Sequence, residues 1–333
     1  GASLLGSVRM AELGFGLDGD AVAQAFTEEK CDVALAADAM GEARVSASLA
    51  GAFGFKPSWG IVSRFGLIGW APSMECYGIA ARSINDISLV MNEIVFNDRR
   101  DPSMIQSQLP DFTKMNEPDR VTTVGVVREL FEAMTDEETQ AMRSALSMLE
   151  QSGIRIQETS LPDFELSRTV HQIIGAVEAS SSAGKYDGVR YGHRTENSDN
   201  WNEMYLQSRA ESFSLTMKSY LFQGAYFQFQ DYPSFENACR LRRRLVNHTK
   251  KLFDEVDVLV FPTRRVHANN EEPSTVDAVY DSFAYTLFAN VVGLPSITIP
   301  GFVRSGEEDL GFQLVGDYLD DVRLLSLADR LTR

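Results

Sequence analysis

Short, almost wholly apolar runs alternate along this chain with longer stretches of helical spacing. CDVALAAD (31–38) is apolar nearly throughout and predicts a buried strand ending at Asp38. DAVAQAFTEEK (20–30), just before it, has helical spacing with Asp20 as N-cap. SINDISLVMNEIV (83–95) places apolar residues at 84, 87, 90, 91 and 94, one face of an amphipathic helix. TTVGVV (122–127) predicts a strand, and residues 135–153 a helix capped by Thr135, with Glu138 in the capping-box position and Gly153 as its stop. IRIQETSL (154–161) then returns as a strand, so this part reads strand–helix–strand. Helical patterning dominates 163–254. Strands are predicted at 256–263, 294–302 and 311–317, and a last helix around DDVRLLSLADRL (320–331). The polar, proline-bearing stretch 96–119 predicts a connecting loop. This order predicts an α/β fold, a sheet covered by helices, in one domain over residues 1–333.

One passage is built differently. After Asp38 come Met40, Gly41, Glu42 and Arg44, then SASLAGAFGFKPSWG (46–60), a tight Gly-rich segment in which Pro57 interrupts any helix. Gly51, Gly54 and Gly60 suit backbone that approaches a neighbour closely or takes positive φ. No G-x-G-x-x-G between strand and helix supports a phosphate cradle. A loop of this kind holds one side chain in place, and here that side chain is Glu42. Asp38 and Arg44 are expected to bracket it as an ion pair, and Met40 to pack over it.

Composition narrows the function classes. A chain of 333 residues with 44% hydrophobic content can bury a large core. Its net charge of −16 disfavours direct binding to nucleic acid or to anionic membrane, since both draw on Lys and Arg. Cys31, Cys76 and Cys239 are far apart and odd in number, which fits reduced thiols in the cytoplasm. No histidine is placed to activate Cys76. His171, His248 and His267 lack metal-site spacing, so no metal and no cofactor are expected. RLRRRL (240–245) reads as a basic helix face salt-bridged to surplus acids.

Five segments, taken in order, carry a resemblance: GFKPSWGIVSRFGLIGWAPSMECYGIAARSINDISLV (54–90), EASSSAGKYDGVRYGHR (178–194), DVLVFPT (257–263), FANVVGLPSITIPGF (288–302) and GFQLVG (311–316). Together they resemble the amidase signature family, and within it the A subunits of glutamyl-tRNA(Gln)/aspartyl-tRNA(Asn) amidotransferases. The resemblance implies the family's α/β architecture, a mixed central sheet flanked by helices on both faces, as a single domain over residues 1–333 that lacks the family's N-terminal part. It also implies a serine–serine–lysine triad, with the nucleophile in a DTGGSIR-type loop and a relay serine in a GGSSGGS-type loop. Nucleophilic catalysis of this kind needs a base within hydrogen-bond reach of the hydroxyl and backbone N–H groups facing the oxyanion.

Laid on DTGGSIR, DAMGEAR (38–44) matches at Asp38, Gly41 and Arg44 but puts Glu42 at the nucleophile. GLDGDAV (16–22), laid without gaps on GGSSGGS, puts Asp18 at the relay serine. Seventeen residues precede Asp18, too few for the elements that carry the lysine, and Lys30 lies between the two loops. The glutamine-binding positions of the tRNA-dependent branch fall on His171 and Gln172, on Ser219 and Tyr220, and on Phe283, where the branch has a tyrosine pair, an arginine pair and an aspartate. Arg190 and Tyr191, in the YDGVRYG segment, match the active-site wall. With Asp38, Met40, Gly41 and Arg44 they form the candidate ligand-binding set.

The resemblance therefore implies a non-catalytic homologue with a binding or assembly role, partnered by another protein subunit or a second copy. A chain lacking the family's N-terminal part could also leave an apolar face that favours such a partner. The alternative is an active amidase or glutaminase subunit whose triad is completed by another chain or by a longer N-terminus. Gly1–Ala2 in place of an initiator Met fits a trimmed chain, which would restore the lysine but neither serine. A third reading makes Asp18 and Glu42 a carboxylate pair for acid/base work or for a hard cation.

Overall fold

The computed structural model describes residues 3–17, 21–115, 117, 120–265, 274–301, 304–305 and 308–333. Helix α1 (Ala21–Thr27) leads into β1 (Val33–Asp38), and α2 (Glu42–Leu49) follows at once. Next come β2 (Phe53–Lys56), β3 (Cys76–Ala81) and α3 (Ile84–Ile94). Strand β4 (Thr123–Val127) runs through the short α4 (Arg128–Glu132) to α5 (Asp136–Gln151) and β5 (Arg155–Thr159). Four helices follow: α6 (Leu166–Ser182), α7 (Trp201–Ser212), α8 (Leu215–Phe229) and α9 (Tyr232–Leu252). The chain closes with β6 (Val258–Pro262), α10 (Val276–Ser282), α11 (Leu287–Val292), β7 (Ser296–Ile299), the two-residue strands β8 (Arg304–Ser305) and β9 (Glu308–Asp309), β10 (Phe312–Gly316) and α12 (Asp321–Thr332).

Eight strands form one mixed sheet in the order β1-β3-β2-β7-β10-β6-β4-β5. Strand β4 lies parallel to β5 and β6, while the other pairs are antiparallel. Helix α5 is the crossover of the expected βαβ unit, and both halves of its Thr135–Glu138 capping box form. The apolar runs are explained by burial on both faces. Along β6, Leu259 and Phe261 join the core under α6, α9 and α11, whereas Val258 and Val260 join the core under α3, α5 and α12. Burying one such side chain contributes roughly 1.5–3 kcal/mol.

Several elements depart from the sequence reading. The passage read as irregular opens with α2, and it then contains β2. CYGIAA pairs as β3 between β1 and β2, and α4 interrupts the path from β4 to α5. The reason for α2 is tertiary. Its small face lies so close on the sheet that a Cβ added to Gly78 would sit 2.4 Å from the Ala43 Cβ, and one added to Gly54 would sit 2.8 Å from the Ala47 Cβ. A segment of alanine and serine has little apolar periodicity, so its pattern alone does not declare a helix. Gly51 and Gly60 take positive φ, as expected.

The same device joins α6 to α8. A Cβ on Gly224 would stand 1.8 Å from the carbonyl oxygen of Ala176. Gly224→Ala is therefore expected to lower stability by about 1–3 kcal/mol by forcing the helices apart. A reduced midpoint of urea unfolding with unchanged helix content checks this; an unshifted midpoint would refute the close contact.

Candidate functional site

Strand β1 ends at Asp38, and the chain turns through Ala39, Met40 and Gly41 into α2, whose first residue is Glu42. Gly41 has φ +131°, and a Cβ there would collide with Thr286 at 2.1 Å from its Oγ1. The tight turn aims three successive amides inward. The N–H groups of Ala39, Met40 and Gly41 donate to Glu42 Oε2 at 2.7, 2.8 and 3.1 Å. Converging backbone donors of this kind are what a developing oxyanion requires. Here the position is filled by the protein's own carboxylate. Glu42 Oε1 is buried without a hydrogen-bond partner. Burial, followed by the nearby charge of Asp38, pushes the Glu42 carboxyl up to about 8, against the pull of the amides.

Arg44, on the next turn, is fully buried and commits all five of its N–H groups. Nε and Nη2 hold the two oxygens of Asp38 at 3.1 and 3.0 Å, Nη1 reaches Thr286 O and Gln313 Oε1, and Nη2 also reaches Asn290 Oδ1. The expected Asp38–Arg44 pair thus exists, as the centre of a network that ties the loop to α11 and β10. Burial would raise the Asp38 carboxyl, but Arg44 outweighs it and holds the group below its ordinary value. Met40 is buried in the core beside the loop.

Beside this loop the space is packed with aromatic rings. Phe15 stacks on Tyr220 at 4.4 Å, and Trp70 meets Phe15, Tyr220 and His171 edge-on at 5.3, 5.6 and 5.8 Å. Their polar atoms form a chain whose direction follows from its end. Ala39 O can only accept, so His171 Nε2 carries the proton that reaches it at 2.9 Å. Nδ1 then accepts from Tyr280 at 3.0 Å, and Tyr280 accepts from Tyr220 at 2.8 Å. Burial lowers His171 to about 4, which keeps the imidazole neutral as this chain requires. Gly175 makes the room, since a Cβ there would lie 2.5 Å from the Tyr220 hydroxyl.

The structure brings Asp38, Met40, Gly41, Glu42 and Arg44 together, with His171 and Tyr220 nearby. Asp18 lies outside the described residues, as does His267. Arg190 and Tyr191 are exposed and no hydrogen bond or ring contact joins them to the loop: Arg190 pairs with Asp187, and Tyr191 lies 6.3 Å from the Tyr186 ring. Burial raises the Cys76 thiol to about 12, which suits packing rather than nucleophilic chemistry. In RLRRRL, Arg244 pairs with Asp163, while Arg242 instead bonds Val291 O and Ser73. Among the described residues no three His, Cys, Asp or Glu gather as a metal site, and no helix is long and apolar enough to cross a membrane.

Sequence reasoning missed the Tyr280 link and Phe15. It also missed buried Lys56, whose Nζ donates to Pro57 O, and Asp321, which anchors Ser58. Only the fully polar character of Lys56 and Asp321 inside apolar surroundings signals them.

A mixed sheet clad in helices, with converging amides where a strand turns into a helix, defines the class of this protein as α/β. The family model described as Amidase matches residues 19–325, and the chain belongs to that family. It is 33% identical over 313 residues to the A subunit of glutamyl-tRNA(Gln) amidotransferase from Acaryochloris marina, covering 92% of this chain and 65% of that protein. The corresponding protein of Caldanaerobacter subterraneus subsp. tengcongensis is 32% identical, with 92% and 64% covered. The chain thus spans just under two thirds of the length of these relatives. Among solved structures, the glutamyl-tRNA(Gln) amidotransferase A subunit from Thermotoga maritima superposes with a TM-score of 0.71 at 23% identity, over 92% of this chain and 63% of that one. A 6-aminohexanoate cyclic dimer hydrolase gives a TM-score of 0.74 at 18% identity, over 94% and 66%. Both share the fold.

Proposed function

We propose that this chain is a non-catalytic member of the amidase family, a single amidase domain kept for binding or for assembly with a partner. One observation carries the reading: the three loop amides that an amide-derived oxyanion would need are already taken by Glu42 Oε2. A substrate carbonyl would have to displace a buried carboxylate that is covalently part of the loop. Glu42 is itself a poor substitute for a serine, since attack by a carboxylate on an amide yields a mixed anhydride from a weak nucleophile. The aromatic packing around His171 and Tyr220 agrees, because these residues satisfy one another's hydrogen bonds where the resemblance places substrate-recognition groups. The relatives are named as subunits, which motivates assembly as the retained role.

The test is ammonia release from glutamine, asparagine and a panel of simple amides, measured beside Glu42→Ser and Glu42→Ala. No release above background is expected from any of the three, because restoring the hydroxyl supplies no base. Losing triad residues costs roughly 10⁴–10⁶ in rate in an enzyme of this logic. Turnover by the unaltered protein that disappears in Glu42→Ala would overturn the reading.

A further inference from the structure

Helix α8 is apolar on both sides. Its inner face, with Met217, Tyr220 and Gly224, packs on α6, while Leu215, Ser219, Phe222, Tyr226 and Phe229 form a row on the outside. Leu215 is 79% exposed, Phe222 75%, Phe229 73% and Tyr226 54%. A solvent-facing helix row ordinarily carries charges. This one carries none over about 21 Å of helix, in a chain with 47 acidic and 31 basic residues. Lys218, beside the row, turns its ammonium to Ala210 O on the preceding helix. Tyr232, at the start of α9, extends the apolar surface.

We propose that this face is a two-fold interface between copies of the chain, with α8 packed antiparallel on α8. The spacing of the row selects that occupant. Leu215 and Phe229 stand seven residues either side of Phe222, so an antiparallel pair can place a two-fold axis at Phe222. Each Phe222 then meets its mate, and each Leu215 meets Phe229 of the second copy. A two-fold contact sets the patch against itself, so a charge at the axis would face its like. Two copies of net charge −16 approach most easily through an uncharged face, and the α8 row offers one. The size also fits. At roughly 150–250 Å² for each aromatic side chain, the exposed fractions amount to about 500–750 Å² with Leu215 and Tyr232 included. That approaches the ~800 Å² each partner buries in a standard interface and reaches the upper end of what monomers ordinarily expose.

The experiment is the mass in solution across a dilution series, by sedimentation equilibrium, for the unaltered chain and for Phe222→Asp and Tyr226→Ser. A dimer is expected for the unaltered chain. Phe222→Asp should weaken it roughly a hundredfold or more, because two carboxylates then face each other across the axis. An unchanged far-UV circular dichroism spectrum and a cooperative unfolding transition for that exposed substitution separate lost association from lost folding. Crosslinking fixes the geometry, using a short thiol-reactive bis-maleimide in a Cys239→Ser background. Phe222→Cys alone should give covalent dimer, and Leu215→Cys should do so when mixed with Phe229→Cys but far less on its own. A monomer at every concentration, a dimer indifferent to Phe222→Asp, or equal crosslinking of Leu215→Cys alone and mixed would each overturn the proposal. Binding only to a different protein through this face would do the same.

Discussion

Replacing Arg44 with methionine is expected to destabilise the protein by about 3–5 kcal/mol, a large share of the total stability of an ordinary domain. The substitution keeps most of the volume, so the loss is electrostatic. Asp38, with both oxygens held by Arg44, would be a buried carboxylate left with a hydrogen bond from Asn290 Nδ2 and the charge of the nearby Lys56. Thr286 O and Gln313 Oε1 would each lose a donor at the same time. Arg44→Lys should fall between, because an ammonium supplies three donors and cannot hold a carboxylate through two parallel bonds. The sharper check is the pair Asp38→Leu with Arg44→Met. Removing both charges should recover part of what Arg44→Met alone loses, since the main penalty is the orphaned carboxylate. Unfolding midpoints in urea measure these variants and Asp38→Leu alone. A double variant less stable than the sum of the single ones would show that the network stabilises in some way other than charge pairing.

How much of this was legible in the sequence depends on which force dominates each segment. Strands β4 and β6, helix α3 and the Thr135-capped α5 were readable because local pattern and burial point the same way. Helix α2 was not, since its residues are small and what fixes it is contact with Gly54 and Gly78, two glycines on strands that follow it in the chain. The site was half legible. The loop after the first strand and the Asp38–Arg44 pair follow from order and spacing, and the special place of Glu42 from the family resemblance. The direction in which Glu42 points does not, because a side chain that folds back onto its own amides leaves no periodic trace. Nor does the Tyr220–Tyr280–His171 chain, whose members come from three helices separated by up to 109 positions.

Under the proposed non-catalytic reading, the loop also accounts for an α/β scaffold kept without the chemistry. Glu42 Oε2 does for the amides of Ala39, Met40 and Gly41 what a bound ligand oxygen would do, so the turn is satisfied without a ligand. Packing is then enough to hold Gly41, Arg44 and Thr286 in place.

That internal ligand has a measurable signature in the pH dependence of stability. With its folded value raised to about 8, against about 4.3 in an unfolded chain, Glu42 binds a proton in the folded state that the unfolded state has already lost. Its contribution is fully present below the unfolded value and is lost as pH rises through the folded one. His171 and Asp321 complicate the acid side. His171, lowered to about 4, adds stability as pH rises toward 6.5, while Asp321, raised to about 6, loses it over much of the same range. Both are common to a variant altered only at Glu42 and cancel in the comparison with it. Between pH 6.5 and pH 8 Glu42 by itself should impose a decline approaching 1.4 kcal/mol per pH unit, about 2 kcal/mol in all. Glu42→Gln mimics the protonated acid: its amide oxygen can accept the three N–H groups and it has nothing to ionise. The variant should match the unaltered protein only below about pH 4, where Glu42 is protonated in both states, and its advantage should grow by a further ~2 kcal/mol between pH 6.5 and pH 8, as read from urea midpoints at each pH. Parallel curves for the two proteins would mean that Glu42 is ionised throughout, with the loop amides outweighing burial and Asp38.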